Sequence, residues 1–137
     1  MTLNCNGKII NFDDQKIMGI LNVSDNSFYD GGNFNSIDKA LSHVDKMLND
    51  GVDIIDLGGI SSKPGSKIIN DKKEWNRLKK IIVQIKKNFP NIPLALDTRK
   101  SFVMKKGLEN GVNIINDVSG LNFDEKSFNI IKLNNVP

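Results

Sequence analysis

Leu48-Asn49-Asp50-Gly51-Val52-Asp53-Ile54-Ile55-Asp56 and Leu108-Glu109-Asn110-Gly111-Val112-Asn113-Ile114-Ile115-Asn116 are one pattern written twice. Each copy ends a helical segment, places a glycine where the chain must reverse, and continues into a short apolar run closed by a polar residue. Glycine reaches the left-handed conformation of a helix C-terminus without the steric cost other residues meet there. Two copies of helix–glycine–strand argue for a repeated βα unit, and so for a parallel sheet joined by helical crossovers.

The pattern extends outward in both directions. Four apolar runs, Lys16–Leu21, Val52–Leu57, Ile92–Asp97 and Val112–Asp117, read as buried parallel strands. Between them, apolar residues recur at helical spacing. Ser36 reads as an N-cap ahead of Ile37, Ala40, Leu41, Val44, Met47 and Leu48. A second helix is expected over Asp71–Asn88, buried through Trp75, Leu78, Ile82 and Ile85, with shorter ones over Ser101–Asn110 and Asp124–Leu133. The order is β-α-β-α-β-α-β-α. Ahead of it, residues 1–15 hold two short apolar pieces around Asn6-Gly7, a dipeptide suited to a type I′ turn. They predict an N-terminal hairpin capping one end. Asn134–Pro137 reads as a loop entering a further strand.

Composition narrows the function. At 137 residues the chain suits one domain, 1–137. No apolar run approaches the ~20 residues of a membrane span, and residues 1–11 lack the basic and apolar regions of a secretory signal. A cytoplasmic protein without membrane contact is expected. One cysteine, Cys5, and one histidine, His43, exclude an internal disulfide and multi-cysteine or two-histidine zinc sites. A net charge of +3 does not imply nucleic acid, and no nucleic-acid partner is expected. Lysine outnumbers arginine 17 to 2, a bias that looks like drift in an A/T-rich coding sequence. The cations of the second helix, Lys72, Lys73, Arg77, Lys79, Lys80, Lys86 and Lys87, read as a solvated outer face.

In parallel βα architectures functional groups gather at the C-terminal ends of strands. All four runs end in polar, glycine-rich loops here, while their opposite ends are plain. Asp97 and Asn116 could form a complementary pair for the amide–amidine edge of a fused heterocycle, since a carboxylate accepts two N–H donors and an amide offers one donor and one acceptor. Ser61-Ser62-Lys63-Pro64-Gly65 offers hydroxyls, an ammonium and a stiffened turn, which suits an anion. Asn22 offers a neutral oxygen to a hard cation such as Mg²⁺. Asp53 and Asp56 are three apart on a strand and point to opposite faces, so they are no acid/base pair. Asp56, nearer the active face, is the better site residue.

At these residues the sequence resembles dihydropteroate synthase. Ile17–Phe28 with Asp30-Gly31-Gly32, and Asp53–Gly59 with Ser61–Gly65, resemble that family's first two signatures. Asp97-Thr98 with Lys100, and Ile114–Gly120, resemble the next two. The resemblance runs from Lys16 to the end and implies the N-terminal half of a TIM (β/α)8 barrel, with four strands in the order 1-2-3-4. It also implies condensation of 6-hydroxymethyl-7,8-dihydropterin pyrophosphate with p-aminobenzoate. In that reading Asn22 lies at an Mg²⁺–pyrophosphate site, Asp97 and Asn116 hold the pterin, and Ser62, Lys63 and Pro64 belong to the p-aminobenzoate loop. Val23–Gly32 forms a second loop over the site. Asp56 and Ser61 are secondary candidates, and no residue is assigned as an acid or base.

The chain departs from the family at Asp25-Asn26, Ile60 and Ser62-Lys63, where the family has Pro-Asp, Glu and Thr-Arg. A (β/α)8 barrel needs about 250 residues, so the isolated chain is expected to be incomplete as a catalyst. It would pair as a homodimer or with a second chain that completes the barrel. Two alternatives are a pterin-binding module of a methyltetrahydrofolate-type methyltransferase and a truncated, non-functional chain.

Overall fold

The computed structural model describes residues 1–23, 34–60 and 69–137. Thr2–Cys5 (β1) and Lys8–Asn11 (β2) form the expected hairpin, with Asn6 and Gly7 at φ +51° and +84° in its turn. Four parallel strands follow: Met18–Asn22 (β3), Ile54–Gly58 (β4), Leu94–Asp97 (β5) and Ile114–Asn116 (β6). They lie in the order β3-β4-β5-β6. The connecting helices are Phe34–Asn49 (α1), Asp71–Asn88 (α2) and Ser101–Glu109 (α3), with Ser127–Asn134 (α4) after β6.

The repeat works as read. Gly51 and Gly111 sit at φ +95° and +90° between a helix end and a strand. In both copies the residue after glycine donates back into the helix, Val52 N to Met47 O and Val112 N to Gly107 O. The strands start later than the apolar runs because Val52 and Val112 belong to these turns.

Two other boundaries differ. Ser36 lies inside the first turn of α1 rather than capping it, since that helix starts at Phe34. Asp124 does not start α4. One of its carboxylate oxygens accepts from Ser101 N at 2.9 Å and the other from Lys126 N at 3.0 Å. It therefore satisfies an amide at the start of α3, whose own N-cap, Lys100, makes no side-chain cap bond.

Alternation along the strands splits the sheet into two faces. The row Leu21, Leu57, Leu96 and Ile115 is buried against Val44, Leu78, Ile82, Met104 and other helix residues, forming the main core. The opposite face has its own small core at the strand N-termini, where Ile54, Ala95 and Ile114 meet Cys5, Ile10, Leu3 and Phe12 of the hairpin region. Polar bonds fasten this plug. Asn6 Nδ2 donates to Val112 O, Asn113 Nδ2 to Cys5 O and Lys8 Nζ to Pro90 O. The hairpin thus closes the N-terminal end of the inner face and leaves the C-terminal end open. Beyond β6, Ile115 N donates to Pro137 O at 3.0 Å, and Val136 is buried in the main core.

Candidate functional site

The last paired residues of the four strands fall in one row across the sheet. Asn22 is in register with Gly58, Gly58 with Asp97, and Asp97 with Asn116. By strand alternation they share the inner face with Ile54, Ala95 and Ile114, at the end the hairpin leaves open. Asp56 lies on the same face one step down its strand, and is buried.

Asn116 Nδ2 donates to Asp56 Oδ2 at 3.0 Å. The amide is thereby oriented by Asp56, a bond the sequence does not announce. The other Asp56 oxygen is buried without a hydrogen-bond partner, an acceptor left open at the site floor. Burial pushes the Asp56 carboxyl up, and the Asn116 bond partly offsets this. Asp97 is shifted further, up to about 6. Burial is the main cause, followed by the negative charges of Asp56, Glu74 and Asp117. Asp53 lies at the other end of β4. It accepts from Ile17 N at 2.9 Å and pairs with Lys16 at 3.3 Å, so it is no partner of Asp56.

Gly58 makes a hollow in the middle of the row. A Cβ there would fall 2.8 Å from Asn22 Oδ1 and 3.4 Å from Asp97 Oδ2. The hollow therefore brings an amide oxygen near a carboxylate oxygen. These are hard donors of the kind Mg²⁺ takes, few at a time alongside waters. Among the described residues no three His, Cys, Asp or Glu side chains gather as metal ligands. A cation here would depend on Asn22 and on oxygens from a ligand.

Behind the sheet lies a polar cluster that sequence reading missed. Glu74 and Arg77 of α2 are buried, as are Thr98 and Lys100 after β5. Thr98 Oγ1 donates to Glu74 Oε1 at 2.6 Å, Lys100 Nζ pairs with Glu74 Oε2 at 3.0 Å, and Arg77 NH1 donates to Gly59 O at 3.1 Å. Arg77 thus leaves the solvated group it was placed in. The only sequence signal was position, since both residues follow Asp71 on the same turns as Leu78 and Ile81. Two residues past Asp97, Arg99 stacks on Phe123, with 4.2 Å to the ring centroid. His43 is exposed, as expected, and Cys5 is buried. Ser61, Ser62, Lys63 and Pro64, and nearly all of the loop from Val23 to Gly32, lie outside the described residues.

A parallel βα half-barrel with one end plugged and a row of polar side chains at the other defines the class of TIM-barrel proteins that hold a small molecule at the strand mouth. Within that class the chain belongs to the pterin binding enzyme family, whose pattern matches residues 18–137. It is 45% identical over 121 residues to dihydropteroate synthase of Clostridium beijerinckii, covering 88% of this chain and 45% of that protein. Among solved structures, dihydropteroate synthase of Xanthomonas albilineans with 4-aminobenzoic acid superposes with a TM-score of 0.88 at 32% identity. That match covers 99% of this chain and 50% of the other. The same enzyme in complex with 7,8-dihydropteroate gives a TM-score of 0.84 at 29% identity, covering 100% and 49%. The chain spans about half the length of the relatives it matches.

Proposed function

We propose that the chain carries the N-terminal half of a dihydropteroate synthase site. The reaction is condensation of 6-hydroxymethyl-7,8-dihydropterin pyrophosphate with p-aminobenzoate, releasing pyrophosphate. The observation that carries this reading is the Asn22–Gly58–Asp97–Asn116 row, backed by the Asp56–Asn116 bond. A carboxylate beside an oriented amide matches the donor and acceptor edge of a pterin.

In this reading Asp97 and Asn116 orient the pterin, Asp56 fixes the Asn116 amide, and Asn22 faces the pyrophosphate with Mg²⁺. When bound, Mg²⁺ neutralises charge on the departing pyrophosphate. Ser62, Lys63 and Pro64, with Ser61, contact p-aminobenzoate. The pterin can bear positive charge at its methylene. The protein therefore has to align the aniline nitrogen and exclude water, and needs no strong base. The substrates are small molecules, the compartment is the cytoplasm, and a homodimer or a second chain covers the open side of the half-barrel.

Titration calorimetry with a dihydropterin tests the site. Asp97→Ala and Asn116→Ala should each weaken binding by roughly 1.5–3 kcal/mol, the scale of a hydrogen bond to a charged group. Equal affinity in the wild type and both variants would remove these residues from the site.

A further inference from the structure

The stretch between β4 and α2 is bounded by two backbone carbonyls, Gly59 O at its start and Ile69 O at its end. Each is held by a buried cation. Arg77, 6% exposed, donates to Gly59 O at 3.1 Å, and Lys100, 7% exposed, donates through Nζ to Ile69 O. Lys100 is held in turn by fully buried Glu74, whose other oxygen takes the Thr98 hydroxyl. Thr98 follows Asp97, and its amide donates to Asn116 O at 3.2 Å. The chain of contacts therefore runs from the Ile69 end of the β4–α2 stretch to the backbone that carries Asp97 and Asn116, while Arg77 ties the Gly59 end to α2, the helix that carries Glu74.

Stability alone is a poor reason for this arrangement. Burying ions is expensive, and well-packed apolar residues of similar volume often serve a fold as well or better. What the charges provide is direction. Two donors reach the two anchor carbonyls, and one carboxylate ties the second anchor to β5.

We propose that Glu74, Lys100 and Arg77 are positioning residues, a buried ionic clamp that holds both anchors of the β4–α2 stretch in fixed relation to Asp97. Its functional meaning rests on the reading above, in which that stretch and Asp97 serve the two substrates of one reaction. A lysine at 77 would still reach as a cation but would lose the planar fork.

Amide hydrogen exchange on the 137-residue chain tests the clamp. Lys100→Met and Glu74→Gln should speed exchange at Glu74 N and Thr98 N by about tenfold or more, the scale of one lost charge-assisted hydrogen bond. Arg77→Met should do the same at Val23 N, which is bonded to Gly58 O. Amides at the C-terminal end of α2 and in the hairpin should keep wild-type rates, and Lys100→Arg should restore slow exchange. Glu74→Gln keeps the shape and the Thr98 acceptor, so it remains informative if Lys100→Met does not fold. Acceleration of all protected amides together would mark an ordinary loss of stability and overturn the proposal, as would unchanged rates at the anchors. Saturation-transfer NMR with p-aminobenzoate separates the two readings. A wild-type chain without p-aminobenzoate contact but with the selective exchange response would sink the functional reading and support the clamp.

Discussion

Asp97 has its neutral form favoured by burial and by three nearby carboxylates, so its carboxyl titrates near 6 rather than 3.8. The sign of the stability effect follows. Between pH 3.8 and about 6 the unfolded chain releases this proton while the folded chain keeps it, so stability falls as pH rises through that window. Above it the penalty persists. Asp97→Asn should therefore melt higher than wild type at pH 7.5 and equal to it at pH 3.5. Screening at this half-buried group reduces the gain to about 1 kcal/mol, a few degrees in Tm. A melting curve that moves the other way at pH 7.5 refutes the assigned environment. In the proposed site the same titration would govern binding, because only the ionised carboxylate accepts two donors side by side. Dihydropterin affinity should rise from pH 5 to pH 7 with a midpoint near 6, and Asp97→Asn should abolish that rise. Gly58 supplies a steric prediction. An alanine methyl would land 2.8 Å from Asn22 Oδ1 and 3.4 Å from Asp97 Oδ2, so Gly58→Ala should crowd the Asp97 carboxylate and lower pterin affinity about tenfold, the scale of one lost hydrogen bond to a charged group. Calorimetry on a variant whose circular dichroism matches wild type checks this.

At the scale of elements, Asn113 joins three parts of the fold. Its Oδ1 accepts from Leu94 N and Lys86 Nζ, both at 3.1 Å, and its Nδ2 donates to Cys5 O at 3.1 Å. Asn113→Ala would strand the buried Leu94 amide and loosen the hairpin from the sheet, costing roughly 2–4 kcal/mol by the penalty for unpaired buried groups. Urea denaturation measures it, and a loss below 1 kcal/mol would show that water replaces the side chain. The same residue shows what sequence could and could not reveal. The four strands were legible because a parallel strand buried between layers must be an apolar run, and the two turn glycines because only a left-handed position explains them. Asn113 and Asp53 occupy matching places in the repeat, yet one bolts the hairpin to the sheet and the other ties Ile17. Local sequence carries no record of which neighbour arrives. Glu74 and Arg77 were illegible for a related reason: charges on an amphipathic helix read as solvated unless the buried partner across the interface is known. Asp97 and Asn116 could be singled out as candidates because they close strands at the end where polar, glycine-rich loops gather, and the structure sets them in register there. The amide's bond to Asp56 joins strands that are not neighbours, and no spacing rule predicts it.

At the scale of the molecule, the half-barrel is unevenly finished. Its helix side is packed and its N-terminal end is plugged. The edge strand β3, by contrast, exposes Ile20 at 64% and Met18 at 43%, next to Ile17 at 56%. An apolar strand at a sheet edge invites pairing, so the isolated chain should self-associate in sedimentation velocity, and a stable monomer would contradict this. The same geometry decides catalysis. In the proposed reading the row from Asn22 to Asn116 covers one side of a pterin, and a reaction that expels pyrophosphate needs cationic and water-excluding groups on the other side as well. Among the described residues that row offers no cation, and Arg99, two residues past Asp97, rests on Phe123. Groups that act as a unit lose orders of magnitude when divided, and not additively. Residues 1–137 alone should therefore fail to support growth of cells lacking their own dihydropteroate synthase in medium without folate end products. Co-expression of a chain supplying the second half of a related barrel should restore growth, and Asp97→Ala should abolish that rescue. Growth on residues 1–137 alone, dependent on Asp97, would show instead that two copies of this half-barrel build a working site between them.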